Sequence, residues 1–177
     1  MRFCLPAGVL LALTLAAQTR PNLDVPYVPS PNAVVDAMLK LADVKPTDVV
    51  YDLGCGDGRI VITAAKTYGA TGVGVDINPE RIAEARANAK TAAVEEKVKF
   101  EENDLFKADI ARATVVTLYL LPSVNERLKP KLLKELKPGT RIVSHQFDMG
   151  DWKPERQAEV GNRPVYLWIV PAADPKP

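Results

Sequence analysis

The sequence predicts an α/β protein built on a doubly wound sheet, mostly parallel and closed by a C-terminal antiparallel hairpin. Three observations carry that prediction. Short apolar runs alternate with stretches of helical periodicity between residues 49 and 147, in the order βαβαβ and then βαβ. The first of these units, "VVYDLGCGDGRIVITAA" at 49–65, passes from strand to helix through a loop with glycines at 54, 56 and 58. Near the C-terminus, "EVGNRPVYLWIVP" sets two strand-like runs about Gly161 and Asn162, a pair suited to a two-residue hairpin turn.

Taken in order, residues 1–20 come first. Arg2, an uncharged apolar run at 3–17 and small residues at Ala16 and Ala17 have the layout of a signal peptide. An uncleaved membrane anchor flanked by Arg2 and Arg20 is the alternative. Residues 21–31, "PNLDVPYVPSP", carry four prolines and read as an extended linker on the domain's edge. The domain proper is expected over 32–172. Ser30 is placed to cap a first helix with Pro31 at its first position, and Val34, Val35, Met38, Leu39 and Ala42 recur at helical spacing. After the glycine loop, a strand at 72–77 holds Asp76, and Asn78 caps a helix running to about Thr91. A third strand opens at 98–100 and runs into "ENDLF", and a fourth lies in "ATVVTLYL" at 113–120. A helix over about 123–136 is stopped by Lys137, Pro138 and Gly139, and 140–147 is the fifth strand. Right-handed crossovers between parallel strands put helices on both faces of this sheet.

The bulk numbers bound the function. A chain of 177 residues with 47% apolar content fits one domain with a real core. Lys plus Arg number 23 against 22 Asp plus Glu, so no net field draws it to nucleic acid or an anionic membrane, and no nucleic-acid partner is expected. Two cysteines, Cys4 and Cys55, make neither a disulfide framework nor a metal site. Cys55 reads as a small side chain tucked under the glycine turn.

In an open α/β sheet the ligand sits beyond the carboxyl ends of the strands, where strand order reverses. That rule gathers residues 52–58, Asp76 and residues 103–105 around one crevice. The loop is G-x-G-x-G, with Arg59 where a dinucleotide-binding loop has its third glycine, which disfavours an NAD-dependent oxidoreductase. With Asp52 ahead of the loop, Asp76 about 20 residues on and "NDL" after the third strand, the sequence resembles the class I S-adenosylmethionine-dependent methyltransferases, over roughly 45–147. Upstream "PYVPSP", the loop "DLGCGDGRIVI" and "DW" at 151–152 are most similar to the small protein-lysine methyltransferases related to the ATP synthase c-subunit lysine methyltransferase, over about 26–170.

The resemblance implies a Rossmann-like fold, S-adenosylmethionine as cofactor, and methyl transfer to an amine. A protein lysine is the first expectation and a small-molecule amine the second. A non-catalytic adenosyl-ligand binding module is the rival outside enzymes. On that reading Asp52 holds the cofactor's ammonium, and Gly54 and Gly56 keep Cβ atoms out of its path. Loop N–H groups near Gly58 take its carboxylate. Asp76 takes the ribose hydroxyls, Ile77 packs on the adenine, Asp104 accepts from the adenine amino group and the Leu105 N–H donates to the ring. Asp52 and Asp76 also read as strand ends, and Asp104 as a plain turn aspartate. Arg59 suits a surface acid as well as it suits a ligand.

At the end of the fourth strand, "LYLLP" lacks the Asn or Asp that begins an Asn-Pro-Pro-aromatic motif in amino-methylating relatives. That departure argues against nucleic-acid bases and glutamine amides, whose weakly nucleophilic nitrogens need a side-chain acceptor. Tyr119 is the candidate catalytic residue there, with backbone carbonyls, to orient an acceptor amine. His145, the one histidine, ends the fifth strand near the same rim as a packing residue or a base. The leader implies export to the periplasm or, alternatively, a membrane anchor with the domain on the cytoplasmic side, beside membrane-protein substrates.

Overall fold

The computed structural model describes residues 25–172, so the leader read at 1–20 lies outside the described residues. The described chain runs α1 (Asn32–Leu41), β1 (Val49–Leu53), α2 (Arg59–Tyr68), β2 (Thr71–Asp76), α3 (Pro79–Thr91), β3 (Val98–Glu102), β4 (Val115–Leu118), α4 (Pro122–Glu135), β5 (Arg141–His145), β6 (Arg156–Val160) and β7 (Arg163–Ile169). The strands form one sheet in the order β3-β2-β1-β4-β5-β7-β6. The first five are parallel; β7 runs antiparallel to β5, and β6 pairs antiparallel with β7 through the Gly161-Asn162 turn. Order reverses at β1, which has β2 on one side and β4 on the other, so a crevice opens at their carboxyl ends.

Two apolar clusters cover the faces. One joins Val34, Val35, Met38 and Leu39 of α1 to Ile60, Val61 and Ala64 of α2 and Ile82 and Ala85 of α3. The other joins Leu128 and Leu132 of α4 to Ile110, Leu118, Met149 and Trp168. Alternation along β1 feeds both, since Val50 belongs to the first cluster and Tyr51 and Leu53 to the second. Trp168 is fully buried, and its indole N–H donates to the Trp152 carbonyl at 2.7 Å, which fixes the tryptophans in the hairpin side of the core.

Three expectations need correction. Ser30 does not cap α1: Pro31 occupies the N-cap position, no side chain caps the helix, and the Ser30 hydroxyl bonds the His145 ring instead. Nor do the described residues of the proline-rich segment lie at the domain's edge, because residues 25–30 run across the crevice and line it. β4 is also half the predicted length. Tyr119 and Leu120 leave the strand, and both face the crevice.

At the opposite end of the sheet Asp48 is a buried structural group. Burial alone raises its pKa, but donation from the Thr114 hydroxyl, the Lys45 N–H and the Arg141 guanidinium outweighs that and holds it below the ordinary aspartate value. A depressed native pKa gives stability that is complete above the unfolded pKa and is lost as pH falls through the native one. Asp48→Ala strands the Arg141 charge, so it is expected to cost about 2 to 4 kcal/mol. Thermal unfolding should show this as a fall of roughly 5 to 15 °C in Tm. Affinity at the distant crevice should not change.

Candidate functional site

The crevice holds about 970 Å³ of space, open solvent included. Its floor is the loop between β1 and α2. All three loop glycines have positive φ, at 84° for Gly54, 52° for Gly56 and 79° for Gly58, so the turn itself demands them. Their surroundings differ. A Cβ on Gly54 would meet Leu120 at 2.9 Å, and one on Gly56 would meet the Tyr27 ring at 2.4 Å. A Cβ on Gly58 would meet Phe100 at 2.6 Å, away from the crevice.

Asp52, Gly54, Gly56, Asp76, Ile77, Asp104, Leu105 and Tyr119 all reach the lining, and Gly58 does not. Gly58 caps α2 and packs it on the sheet, and its N–H donates to the Cys55 carbonyl. The first helical N–H of α2, on Arg59, is taken by the Asp57 carboxylate at 3.2 Å. The protein thus supplies its own anion where a ligand carboxylate was expected.

Of the three aspartates that line the space, Asp52 and Asp76 stand beside the glycine loop. Asp52 is 3% exposed and accepts from the Thr117 hydroxyl at 2.7 Å. Burial pushes its carboxyl up to about 7; the Thr117 bond works against that, and the charges of Asp76 and Asp57 add to it. Asp76 accepts from the Gly56 N–H and from the Asn78 N–H, both at 2.9 Å, and so ties the loop to the end of β2. Each oxygen keeps a further lone pair. The cations of the lining are engaged elsewhere: Arg59 with Asp57 and the Ser30 carbonyl, Arg81 with Glu84 and the Tyr27 ring. Asp52 and Asp76 are therefore short of positive charge in a largely apolar crevice, a donor set suited to a cationic ligand with hydroxyls.

Asp104 makes the turn after β3, accepting from the Phe106 N–H at 2.9 Å and pairing with Lys107 at 3.7 Å, while the Leu105 N–H takes part in none of the bonds of that turn. Cys55 lies buried under the loop. Its burial, and the charges of Asp52 and Asp76, push the thiol far up, so it packs rather than reacts.

Tyr119 forms the opposite wall, half-buried, with its ring centroid 3.9 Å from that of His145 and 6.3 Å from that of Phe147. His145 is fully buried and held neutral: burial, then the Arg163 charge, lowers its pKa to about 4. The features that sequence reasoning missed are Tyr27, Ser30 and Arg81. Their signal was the phasing of "PYVPSP", whose prolines dictate an extended run able to lie across a cleft.

The ANTKMT methyltransferase domain matches residues 52–156 of this chain. Over 151 residues the chain is 52% identical to a protein-lysine N-methyltransferase of Saccharolobus islandicus, covering 82% of this chain and 94% of that protein. It is 34% identical over 154 residues to the adenine nucleotide translocase lysine N-methyltransferase of Mus musculus, covering 87% and 67%. A crystal structure named as an RNA methyltransferase from Salinibacter ruber, in complex with S-adenosyl-L-homocysteine, is 57% identical with a TM-score of 0.82, covering 85% of this chain and 98% of that one.

These relatives overturn one expectation. The Saccharolobus and Salinibacter chains are spanned almost end to end by the match, which leaves little of either for an export leader. The expectation of export to the periplasm, or of a membrane anchor, thus finds no support in these relatives. Among the described residues no helix is long and apolar enough to cross a membrane.

Proposed function

From the premise that the chain belongs to the ANTKMT methyltransferase domain family, and is an S-adenosylmethionine-dependent methyltransferase, we propose that it methylates the side-chain amine of a protein lysine. One observation supports the site assignment: among the described residues no cation pairs with Asp52 or Asp76 where they face the apolar crevice. Bound S-adenosylmethionine supplies an electrophilic methyl group on a sulfonium. The chain's own residues do the rest. Asp52 holds the ammonium, Gly54 and Gly56 let the backbone approach, and Asp76 takes the ribose hydroxyls. Ile77 lies on the adenine, with Asp104 and the Leu105 N–H at its polar edge.

Tyr119 orients the acceptor amine on the opposite wall, and residues 25–30 keep water from the reacting atoms. His145 is no base for this step: it is buried behind Tyr119, and a pKa lowered to about 4 by burial and then the Arg163 charge leaves it too weak to take the proton of a lysine ammonium. The lysine must therefore arrive deprotonated, which an apolar approach favours by lowering its pKa. The lysine reading is supported by the names of the Saccharolobus and Mus musculus relatives and by "LYLLP", which offers no side-chain amide or carboxylate to polarise a base nitrogen. The name of the Salinibacter structure sets the competing acceptor.

The test offers labelled S-adenosylmethionine with a cell protein extract and, separately, with total RNA. Methylated lysines located by mass spectrometry, with unlabelled RNA, are expected; label in RNA alone overturns the reading. Tyr119→Phe should lower kcat about three- to tenfold, as expected for one orienting hydrogen bond. Asp76→Ala should weaken S-adenosylhomocysteine binding by about 1.5 to 3 kcal/mol, measured by calorimetry. It also frees two loop N–H groups, so a small loss of Tm should accompany it.

A further inference from the structure

We propose that His145 is a positioning residue for methyl transfer, which through Ser30 latches the strap of residues 25–30 across the cofactor crevice and from behind holds the Tyr119 ring at the crevice wall. The proposal rests on the methyltransferase reading only in what it says of Tyr119.

The latch is a side-chain hydrogen bond between residues 115 apart in sequence: Ser30 Oγ lies 2.9 Å from His145 Nδ1, both residues buried. The same Ser30 accepts from the Arg59 guanidinium through its carbonyl, at 2.9 Å. One residue at the end of the strap is thus held from β5 and from the start of α2. Upstream of it Tyr27, Val28 and Pro29 are exposed, and Tyr27 is the other anchor, its ring over Gly56 and under the Arg81 guanidinium and its side chain bonded to Asp57 and Arg81. Freeing Ser30 therefore leaves the strap that closes the crevice held through Tyr27 without its downstream fastening.

The buried ring is costly, which argues for a purpose. Among the described residues His145 Nε2 has no hydrogen-bond partner, although it is shut from solvent. An apolar ring of the same size would remove that cost and keep the packing. What it would lose is the bond to Ser30. The second attachment is the tilted stack on Tyr119, at 3.9 Å and 32° between planes, with Phe147 on the Tyr119 ring as well. Tyr119 is outside β4, so aromatic neighbours rather than a strand ladder fix its ring. Because the imidazole stays neutral, the stack and the latch keep one form across the working pH range.

The two attachments separate by mutation. His145→Phe keeps a ring against Tyr119 and breaks the latch; Ser30→Ala breaks it from the other side with little risk to folding; His145→Ala removes latch and stack together. For the first two, the Kd for S-adenosylhomocysteine by calorimetry should rise three- to tenfold, to similar extents. The double variant Ser30→Ala/His145→Phe should rise no further than either single one, because both remove the same bond. Cleavage within residues 25–30 by a nonspecific protease should quicken in parallel. At saturating cofactor, kcat of His145→Ala should fall about three- to tenfold below that of His145→Phe, up to the loss expected when the Tyr119 hydroxyl itself is removed. Additive effects in the double variant, or unchanged affinity in Ser30→Ala, overturn the latch. Equal kcat for His145→Phe and His145→Ala overturns the positioning of Tyr119. The affinity and proteolysis arms do not depend on what is methylated, so failure of the lysine reading leaves them legible.

Discussion

Asp52→Asn is expected to make the ligand-free protein more stable above pH 7 and, by the same change, a much poorer binder of the cofactor. Asp52 sits at 3% exposure with a carboxyl pushed up to about 7, against an ordinary 3.8. Between those values the native state keeps a proton that the unfolded chain has released, so stability falls as pH rises through this window. With about 1.4 kcal/mol per pKa unit, the ceiling on that loss is roughly 4 kcal/mol, complete once pH exceeds the native value. Asparagine keeps an oxygen for the Thr117 hydroxyl and carries no charge. The variant should therefore gain about 1 to 4 kcal/mol over wild type at pH 8 and little at pH 5. Binding runs the other way. On the proposed placement the ammonium selects the ionised carboxylate, so wild-type affinity for S-adenosylhomocysteine should rise from pH 6 to pH 8. In the variant it should be flat and weaker by about 2 to 3 kcal/mol, roughly 30- to 150-fold. Urea melts at the two pH values and calorimetry measure both. A variant less stable than wild type at pH 8 would show that Asp52 is already neutralised by something in the crevice.

The fate of such assignments follows from what kind of interaction fixes each residue. The strand order was legible because apolar runs, their lengths and the glycine loop are local signals, and Gly161-Asn162 announces its hairpin by turn chemistry alone. The crevice followed from topology, which is why Asp52, Asp76 and Asp104 could be gathered before any geometry was known. Ser30 and the strap could not be read this way. Serine before proline is the local pattern of a helix start, and the partner that overrides it, His145, is 115 residues distant. Prolines set the conformation of residues 25–30 but not the surface that receives them. Gly58 shows the same limit from the other side: its spacing matches the loop motif, yet its missing side chain makes room for Phe100 and Ala85 between α2, α3 and the sheet. At β4 an unbroken apolar run concealed a change of role, from ladder residues at Val115–Leu118 to crevice wall at Tyr119 and Leu120.

Gly56→Val should abolish measurable cofactor binding and also lower stability, and a companion variant, Gly56→Asn, separates the two causes. Gly56 has φ of 52°, a region that a β-branched residue occupies only under strain, at about 1 to 3 kcal/mol. Asparagine tolerates that region far better. Both side chains begin with a Cβ that would lie 2.4 Å from Tyr27 Cε2, so both must push the strap off the loop. The strain term therefore belongs to valine and the displaced strap to both. In thermal unfolding of the ligand-free protein, the valine variant should lose roughly 3 to 10 °C and the asparagine variant less than half of that. In calorimetry with S-adenosylhomocysteine, both should fall by at least tenfold, because each fills space where the ligand and Tyr27 meet the backbone. Gly56→Asn with wild-type affinity would mean that the glycine serves the turn alone. That result would move the ligand away from the loop and would falsify the placement of the cofactor between Gly56 and Asp76.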